Sequence, residues 1–166
     1  MLSFKGEIVD RQLITRQGHQ RLLQELEQLR KVELPKNVQA IAEARAHGDL
    51  SENAEFHAAK ERQSIIAAKM ADIEGILART EVVDPLPPHN GRVVFGVKVK
   101  LYDPEADEEC QFQIVGQAEG DASCGRISLS SPIGQALIGR EEGDEVRVKT
   151  PGGLRVLEIV EILTAD

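Results

Sequence analysis

The rhythm of hydrophobic positions along the chain changes once, near Thr80. Before it, apolar residues recur at helical spacing. Phe56, Ala59, Gln63, Ile66, Met70, Ile73 and Leu77 step by 3, 4, 3, 4, 3 and 4, an a/d seam over three heptads with one polar member, Gln63. Upstream, Leu22, Leu26 and Leu29 step by 4 and 3, and Leu34, Val38 and Ile41 do the same. The intervening positions are rich in Leu, Ala, Gln, Glu, Lys and Arg, which favour helix. The skip from Leu29 to Leu34 breaks the phase, and Pro35 stands directly after it. Proline removes one backbone donor and disfavours helix at the residue before it. The pattern therefore predicts a kink near Leu34, a new helix with Pro35 in its first turn, or a helix that tolerates Pro35 with local distortion.

Between the two seams lies His47-Gly48-Asp49-Leu50-Ser51-Glu52-Asn53. Gly48 suits the left-handed backbone that closes a helix. Asp49 or Ser51 suits the cap of the next helix, and Asp49 with Glu52 has capping-box spacing. Two helices, a tight turn and facing seams predict an antiparallel coiled-coil hairpin with its tip at residues 47–53. Each arm of about 30 residues is about 45 Å long at 1.5 Å per residue.

After Thr80 the pattern shortens. Asp84-Pro85-Leu86-Pro87-Pro88-His89-Asn90-Gly91 is dense in breakers and turn formers and reads as a linker. Five runs follow that are rich in Val, Ile and Leu: Arg92 to Leu101, Gln111 to Val115, Arg126 to Ser130, Glu145 to Thr150 and Leu154 to Ile162. Pro151-Gly152-Gly153 predicts a hairpin turn between the last two, and Pro132 to Ile138 reads as one short helix. The expected fold class is α+β: the coiled-coil hairpin over 1–80, a linker over 81–90, and a small, mainly antiparallel sheet with one helix over 91–166.

Charge sharpens this division. Lys and Arg number 20 against 28 Asp and Glu, a net charge of -8. Residues 15–80 hold ten of each sign, whereas 81–166 hold eight basic and sixteen acidic side chains. The hairpin meets a nucleic acid without net repulsion. The acidic second half points to a protein partner, so tight binding to free DNA is not expected. Aromatics are only 3%, too few for a base-stacking platform. No apolar run reaches 18 residues, and the first ten lack a signal-peptide pattern, so a cytoplasmic location is expected. Cys110 and Cys124 have no CxxC spacing and read as reduced, part-buried thiols.

The candidate chemistry sits at the tip. Asp49 and Glu52 would lie one turn apart if the helix began at Asp49, with His47, Glu55 and His57 nearby. Two exposed carboxylates suit a hard divalent cation such as Mg²⁺, weakly alone and better where a partner completes the oxygen shell. The plainer use of both residues is to cap the second helix, which is far commoner than a metal site. A zinc site from His47, Asp49, Glu52 and His57 lacks ligand spacing. Arg45 and Lys60 flank the acids and suit phosphate contact, or simply a solvated helix face. Ser128, Ser130 and Ser131 have no GxSxG context, and no Gly-rich phosphate loop precedes a helix.

The stretch Ile41-Ala42-Glu43-Ala44-Arg45-Ala46-His47-Gly48-Asp49-Leu50-Ser51-Glu52-Asn53-Ala54-Glu55-Phe56-His57-Ala58-Ala59-Lys60-Glu61 resembles the signature of the Gre transcript-cleavage factors of bacterial RNA polymerase, of the GreA type. Thr15, Gly18, Leu22, Leu23, Glu25, Leu26 and Leu29 resemble the family's opening. Asn90 to Gly96, Ile114-Val115-Gly116, Ser131 to Gly139 and Val148 to Gly153 resemble blocks of its second domain. Phe56 stands where the family often has Tyr, and about ten residues extend the N-terminus. The resemblance implies an FKBP-like C-terminal domain that docks at the rim of the polymerase secondary channel. It implies a hairpin whose tip reaches the active centre, where Asp49 and Glu52 share a Mg²⁺ and orient the water that cleaves the 3′ end of backtracked nascent RNA. Carried over by position, Arg45 and Lys60 contact RNA, and Ser130, Ser131, Pro132 and Ile133 belong to the docking segment. The chain would then stimulate the polymerase's own cleavage activity and be no enzyme itself.

Three rival readings remain. An inhibitory relative entering the same channel would be expected to have altered tip acids, and both are intact here. A prolyl isomerase needs an aromatic pocket, for which residues 81–166 offer only Phe95, Tyr102 and Phe112. A coiled-coil adaptor without chemistry predicts a freely replaceable tip.

Overall fold

The computed structural model describes residues 11–49, 52–85 and 91–164. Ser51, offered above as a cap, and residues 86–90 of the linker lie outside the described residues. The chain divides into two compact units: His19–Arg79 forms one, and residues 11–18 with those from Thr80 onward form the other.

The helical unit continues α1 (Arg16–Gln28) through a π-helical turn (Leu29–Glu33) into α2 (Leu34–Ala46), and α3 (Ala54–Arg79) returns antiparallel to it. The π turn explains the broken phase. The Leu34 N–H reaches the Leu29 carbonyl, five residues back, so one wide turn absorbs the extra residue and returns Leu34 to the seam. Pro35 falls in the first turn of α2, and the backbone stays helical through Glu33 and Leu34. A new helix with Pro35 in its first turn thus joins the previous one without a break.

Leu26, Leu29, Ile66 and Ile73 are buried together, with Leu22, Leu34, Met70 and Leu77 packed against them. Burial of each large side chain contributes about 1.5–3 kcal/mol. Every predicted seam position of α3, from Phe56 to Leu77, is buried or half-buried. On α2 the seam differs from expectation. Val38 is 51% exposed, while Asn37 is 3% exposed and donates its Nδ2 to the Ala59 carbonyl of α3 at 3.0 Å. The seam there runs Leu34, Asn37, Ile41, Ala44, because the π turn re-phases α2 by one position. Exposed pairs cross between the arms, Lys69–Glu25 at 2.6 Å, Arg62–Glu33 at 2.9 Å and Arg30–Glu74. Each contributes at most about 1 kcal/mol.

The helices are shorter than the Thr15–Thr80 reading. Thr15 ends a strand, β1 (Gln12–Thr15), that pairs in parallel with β2 (Thr80–Val83). Arg16 forks onto Asp84 at 2.7 and 2.8 Å beside this pair, holding the Asp84 carboxyl below the usual carboxylate range.

The rest of that unit is a five-stranded sheet ordered β5-β4-β3-β7-β6, with β3 (Lys98–Asp103), β4 (Glu108–Val115), β5 (Arg126–Ser128), β6 (Glu145–Thr150) and β7 (Gly153–Leu163). All pairings are antiparallel except β4 with β5. Thr150 pairs with Gly153 across Pro151-Gly152, so the predicted turn closes β6 and β7. A register shift between Lys100 and Leu101 turns both Ile159 and Ile162 inward, and leaves Val160 outside. Val99, Leu101, Ile114, Val146, Val148, Leu157 and Ile159 form the core with Leu137 of α4 (Pro132–Leu137).

Two predicted strands are shorter than expected. Arg92 to Val97 turns before β3 begins, because Gly96 takes a φ of +88° and donates to the Ile114 carbonyl at 2.8 Å. β5 stops at Ser128, where the Ser131 N–H returns to the Ser128 carbonyl at 3.0 Å. Cys110 is half-buried, and burial, with the Asp103 charge next, pushes its thiol up. Cys124 is exposed, contrary to the part-buried reading, because it sits in a surface 3₁₀ turn (Ala122–Cys124).

Candidate functional site

The tip is built from the ends of α2 and α3. The His47 N–H closes α2 onto the Ala44 carbonyl at 3.3 Å, and Gly48 takes a φ of +113°, as a closing glycine should. α3 begins only at Ala54, so Asp49 and Glu52 stand in the loop and not on a shared helical face. Neither caps α3. Asn53 caps α3, its Oδ1 accepting the Phe56 N–H at 3.1 Å while its Nδ2 donates to the Ala44 carbonyl at 2.8 Å. The amide fits because Asn can both accept and donate, whereas a carboxylate only accepts.

Asp49 and Glu52 are exposed on this loop. The Arg45 guanidinium lies 5.7 Å from the centroid of the Phe56 ring, and His57 meets that ring edge-on at 5.7 Å. Lys60 donates to Gln63 at 3.2 Å, two turns along α3. The tip therefore carries the two acids, with Arg45 against an aromatic face and Lys60 further down. No group of three or more His, Cys, Asp or Glu converges among the described residues. The donor set thus fits a hard cation in kind, as exposed carboxylates, and falls short in number. It needs oxygens from elsewhere.

The segment that the resemblance assigns to docking divides between two surfaces. Ser131, Pro132 and Ile133 line an apolar cleft of about 400 Å³ whose other walls include Phe112, Ile127 and Val148. Phe95 and Tyr102 are not among its walls, and the Tyr102 hydroxyl donates to Asp107 at 2.8 Å, which weakens the isomerase reading. Ser130 lies on a neighbouring groove with Leu129 and Gln135. Ser131 is also structural, since its Oγ donates to the Ser128 carbonyl at 2.7 Å and accepts the Gly134 N–H at 3.0 Å as the cap of α4.

Glu119 was not foreseen at all. It is 6% exposed and accepts the Thr15 N–H at 2.8 Å, the Thr15 hydroxyl and the Gly116 N–H at 3.2 Å. Thr15 in turn accepts the Gly18 N–H at 3.0 Å and so caps α1. A Cβ at Gly18 would fall 2.0 Å from the Glu119 Oε1. Gly18 and Gly116 were the available signals, since a glycine near a helix start marks a close approach.

Fold and tip together define a class: α+β proteins that present paired acids on the end of an antiparallel coiled coil and carry a separate small β-sheet unit. Residues 12–82 match the family model "Transcription elongation factor, N-terminal", and residues 88–164 match "Transcription elongation factor, GreA/GreB, C-term". The transcription elongation factor GreA of Alkalilimnicola ehrlichii is 49% identical over 90% of this chain and 95% of its own. That of Caulobacter vibrioides is 50% identical over 87% and 92%. The crystal structure of GreA factor homolog 1 from Thermus thermophilus is 32% identical over 92% of this chain and 98% of that one, with a TM-score of 0.41. This chain belongs to the GreA/GreB family of transcription elongation factors. Among the described residues, no helix is long and apolar enough to cross a membrane.

Proposed function

We propose that this protein binds bacterial RNA polymerase through its secondary channel and stimulates hydrolysis of the 3′ end of backtracked nascent RNA, rescuing arrested elongation complexes. One observation carries the reading: Asp49 and Glu52 are exposed on a short loop at the end of a hairpin whose α3 has 26 residues, about 39 Å at 1.5 Å per residue. A narrow coiled coil with equal positive and negative charge suits a confined passage lined with nucleic acid.

Each part then has a role. Asp49 and Glu52 hold a Mg²⁺ shared with the polymerase and accept a hydrogen bond from the attacking water. The ion supplies charge stabilisation to the attacking and leaving oxygens. Arg45 and Lys60 contact the phosphates of the RNA 3′ end. The Arg45 guanidinium lies over the Phe56 ring, a cation–π contact that favours this placement. The cleft lined by Ser131, Pro132 and Ile133 seats an apolar element of the polymerase, with Ser130 at its flank. The two carboxylates alone are too few to hold the ion firmly, so the polymerase, not this chain, is the catalyst.

The test is a purified polymerase complex stalled in a 3′-backtracked register. With this protein and Mg²⁺ it releases a short 3′ RNA fragment faster than without it. The protein and Mg²⁺ alone leave free RNA intact. Fragment release that the protein does not accelerate overturns the reading, and hydrolysis of free RNA overturns catalysis in trans.

A further inference from the structure

The two acids occupy a loop, not a helix, so something other than helical geometry must fix where they stand. The loop's base is the bridging amide of Asn53. Its Nδ2 binds the Ala44 carbonyl in the last turn of α2, and its Oδ1 binds the Phe56 N–H in the first turn of α3. Helix ends are where coiled coils fray, because the last carbonyls and first N–H groups lack partners within the helix. Here one half-buried side chain bonds both ends at once, adding a shorter bond to the Ala44 carbonyl that the His47 N–H also reaches, and both acids lie within the segment it closes. Asp and Ser serve as well as Asn at an N-cap, but Asp has no proton to donate and Ser is too short to span to the other helix. The choice of Asn thus matches a need to join the ends, beyond the need to cap α3.

We propose that Asn53 is a positioning residue for the tip acids: its amide clamps the ends of α2 and α3 so that the loop presents Asp49 and Glu52 at one place. The inference rests on the reading that these acids act at the RNA 3′ end. Placement errors of about 1 Å in reacting groups lower rates by up to about a hundredfold. Loss of the clamp is therefore expected in the maximal cleavage rate and not in the affinity for polymerase, which the cleft governs.

A second asparagine supplies the control. Asn37 also donates across the hairpin, to the Ala59 carbonyl at 3.0 Å, but on the side of Ala44 away from the loop. It ties the arms without touching the loop's base.

The experiment compares Asn53→Ser, which keeps the N-cap acceptor but cannot reach Ala44, with Asn37→Ala and the unaltered protein. In the free proteins, amide hydrogen exchange over residues 45–57 quickens in Asn53→Ser well beyond any change that the global destabilisation of Asn37→Ala causes there. In the backtracked complex, Asn53→Ser lowers the maximal cleavage rate about tenfold or more. Its half-saturating concentration stays within about twofold. Asn37→Ala cleaves at the unaltered maximal rate. The proposal is overturned if Asn53→Ser keeps the full maximal rate, if added factor restores it, if its exchange quickens no more than that of Asn37→Ala, or if Asn37→Ala loses as much. The double variant Asp49→Ala, Glu52→Ala runs alongside. Should it still cleave, the acid reading fails and Asn53 falls with it; should it be inactive while Asn53→Ser is normal, only the clamp is wrong.

Discussion

Replacing Gly18 by Ala sets two physical effects against each other, and the structure decides the sign. Gly18 lies in the first turn of α1, where Ala is the better helix former by at most about 1 kcal/mol. Propensity alone predicts a more stable protein. The added Cβ would fall 2.0 Å from the Glu119 Oε1 and 2.2 Å from its Cδ, so that carboxylate must move. Glu119 is buried, and its carboxylate accepts the Thr15 N–H, the Thr15 hydroxyl and the Gly116 N–H. Bonds to a charged acceptor contribute roughly 1.5–3 kcal/mol each, so losing two of them costs about 3–6 kcal/mol. Net of the helix gain, Gly18→Ala destabilises by at least about 2 kcal/mol. Urea unfolding of the whole protein reads this as a lower midpoint with an unchanged slope. A double-mutant cycle isolates the cause: with Glu119→Ala already present, Gly18→Ala becomes neutral or mildly stabilising. Equal or greater stability of the single variant, or an equal penalty in both backgrounds, refutes the argument.

The remaining predictions concern seam phase, pH and docking. Asn37→Ala lowers stability by about 1–3 kcal/mol through the lost cross-arm bond, whereas Val38→Ala changes it by under about 0.5 kcal/mol; the reverse order by urea unfolding refutes the re-phased seam. Burial pushes the Asp103 carboxyl up, but the N–H groups of Ala106 and Glu105 and the Arg155 guanidinium outweigh it and hold it below its usual range. The unfolded chain therefore binds the proton first, and the stability from Asp103 is complete above about pH 4 and lost as pH falls through the lower folded value. Unfolding midpoints of the unaltered protein and Asp103→Asn converge on acidification, and a gap that persists or widens refutes this sign. Pro132→Ala, on an exposed cleft wall, weakens competition for polymerase while shifting stability by under about 1 kcal/mol. Ser131→Ala is less clean, since loss of the α4 cap costs about 1 kcal/mol by itself.

Much of the fold was legible because its periodicities are long. Seven seam positions over α3 fix one face, and all are buried or half-buried. The β6–β7 hairpin announces itself through Pro151-Gly152-Gly153 between two β-rich runs. Legibility failed where one residue changes the geometry. The Leu29–Leu34 skip is visible, yet its resolution by a π turn depends on backbone geometry, and it moves Asn37 into the seam in place of Val38. β1 and β2 are four residues each and pair across the whole hairpin, so no local pattern marks them. At the tip, the residues Asp49 and Glu52 were found by their chemistry and by resemblance. Their cap was misassigned, because several good N-cap residues lie in succession and only Asn53 has an amide that serves both helix ends.

The central claim is that Asp49 and Glu52 act inside the polymerase. The direct measurement is the maximal rate of 3′ fragment release from a purified backtracked complex with saturating Asp49→Ala, Glu52→Ala protein, its binding monitored by competition with the unaltered protein. The account predicts that the variant competes as well as the unaltered protein and that stimulated cleavage is abolished. Cleavage at the unaltered rate by the fully bound variant would contradict it.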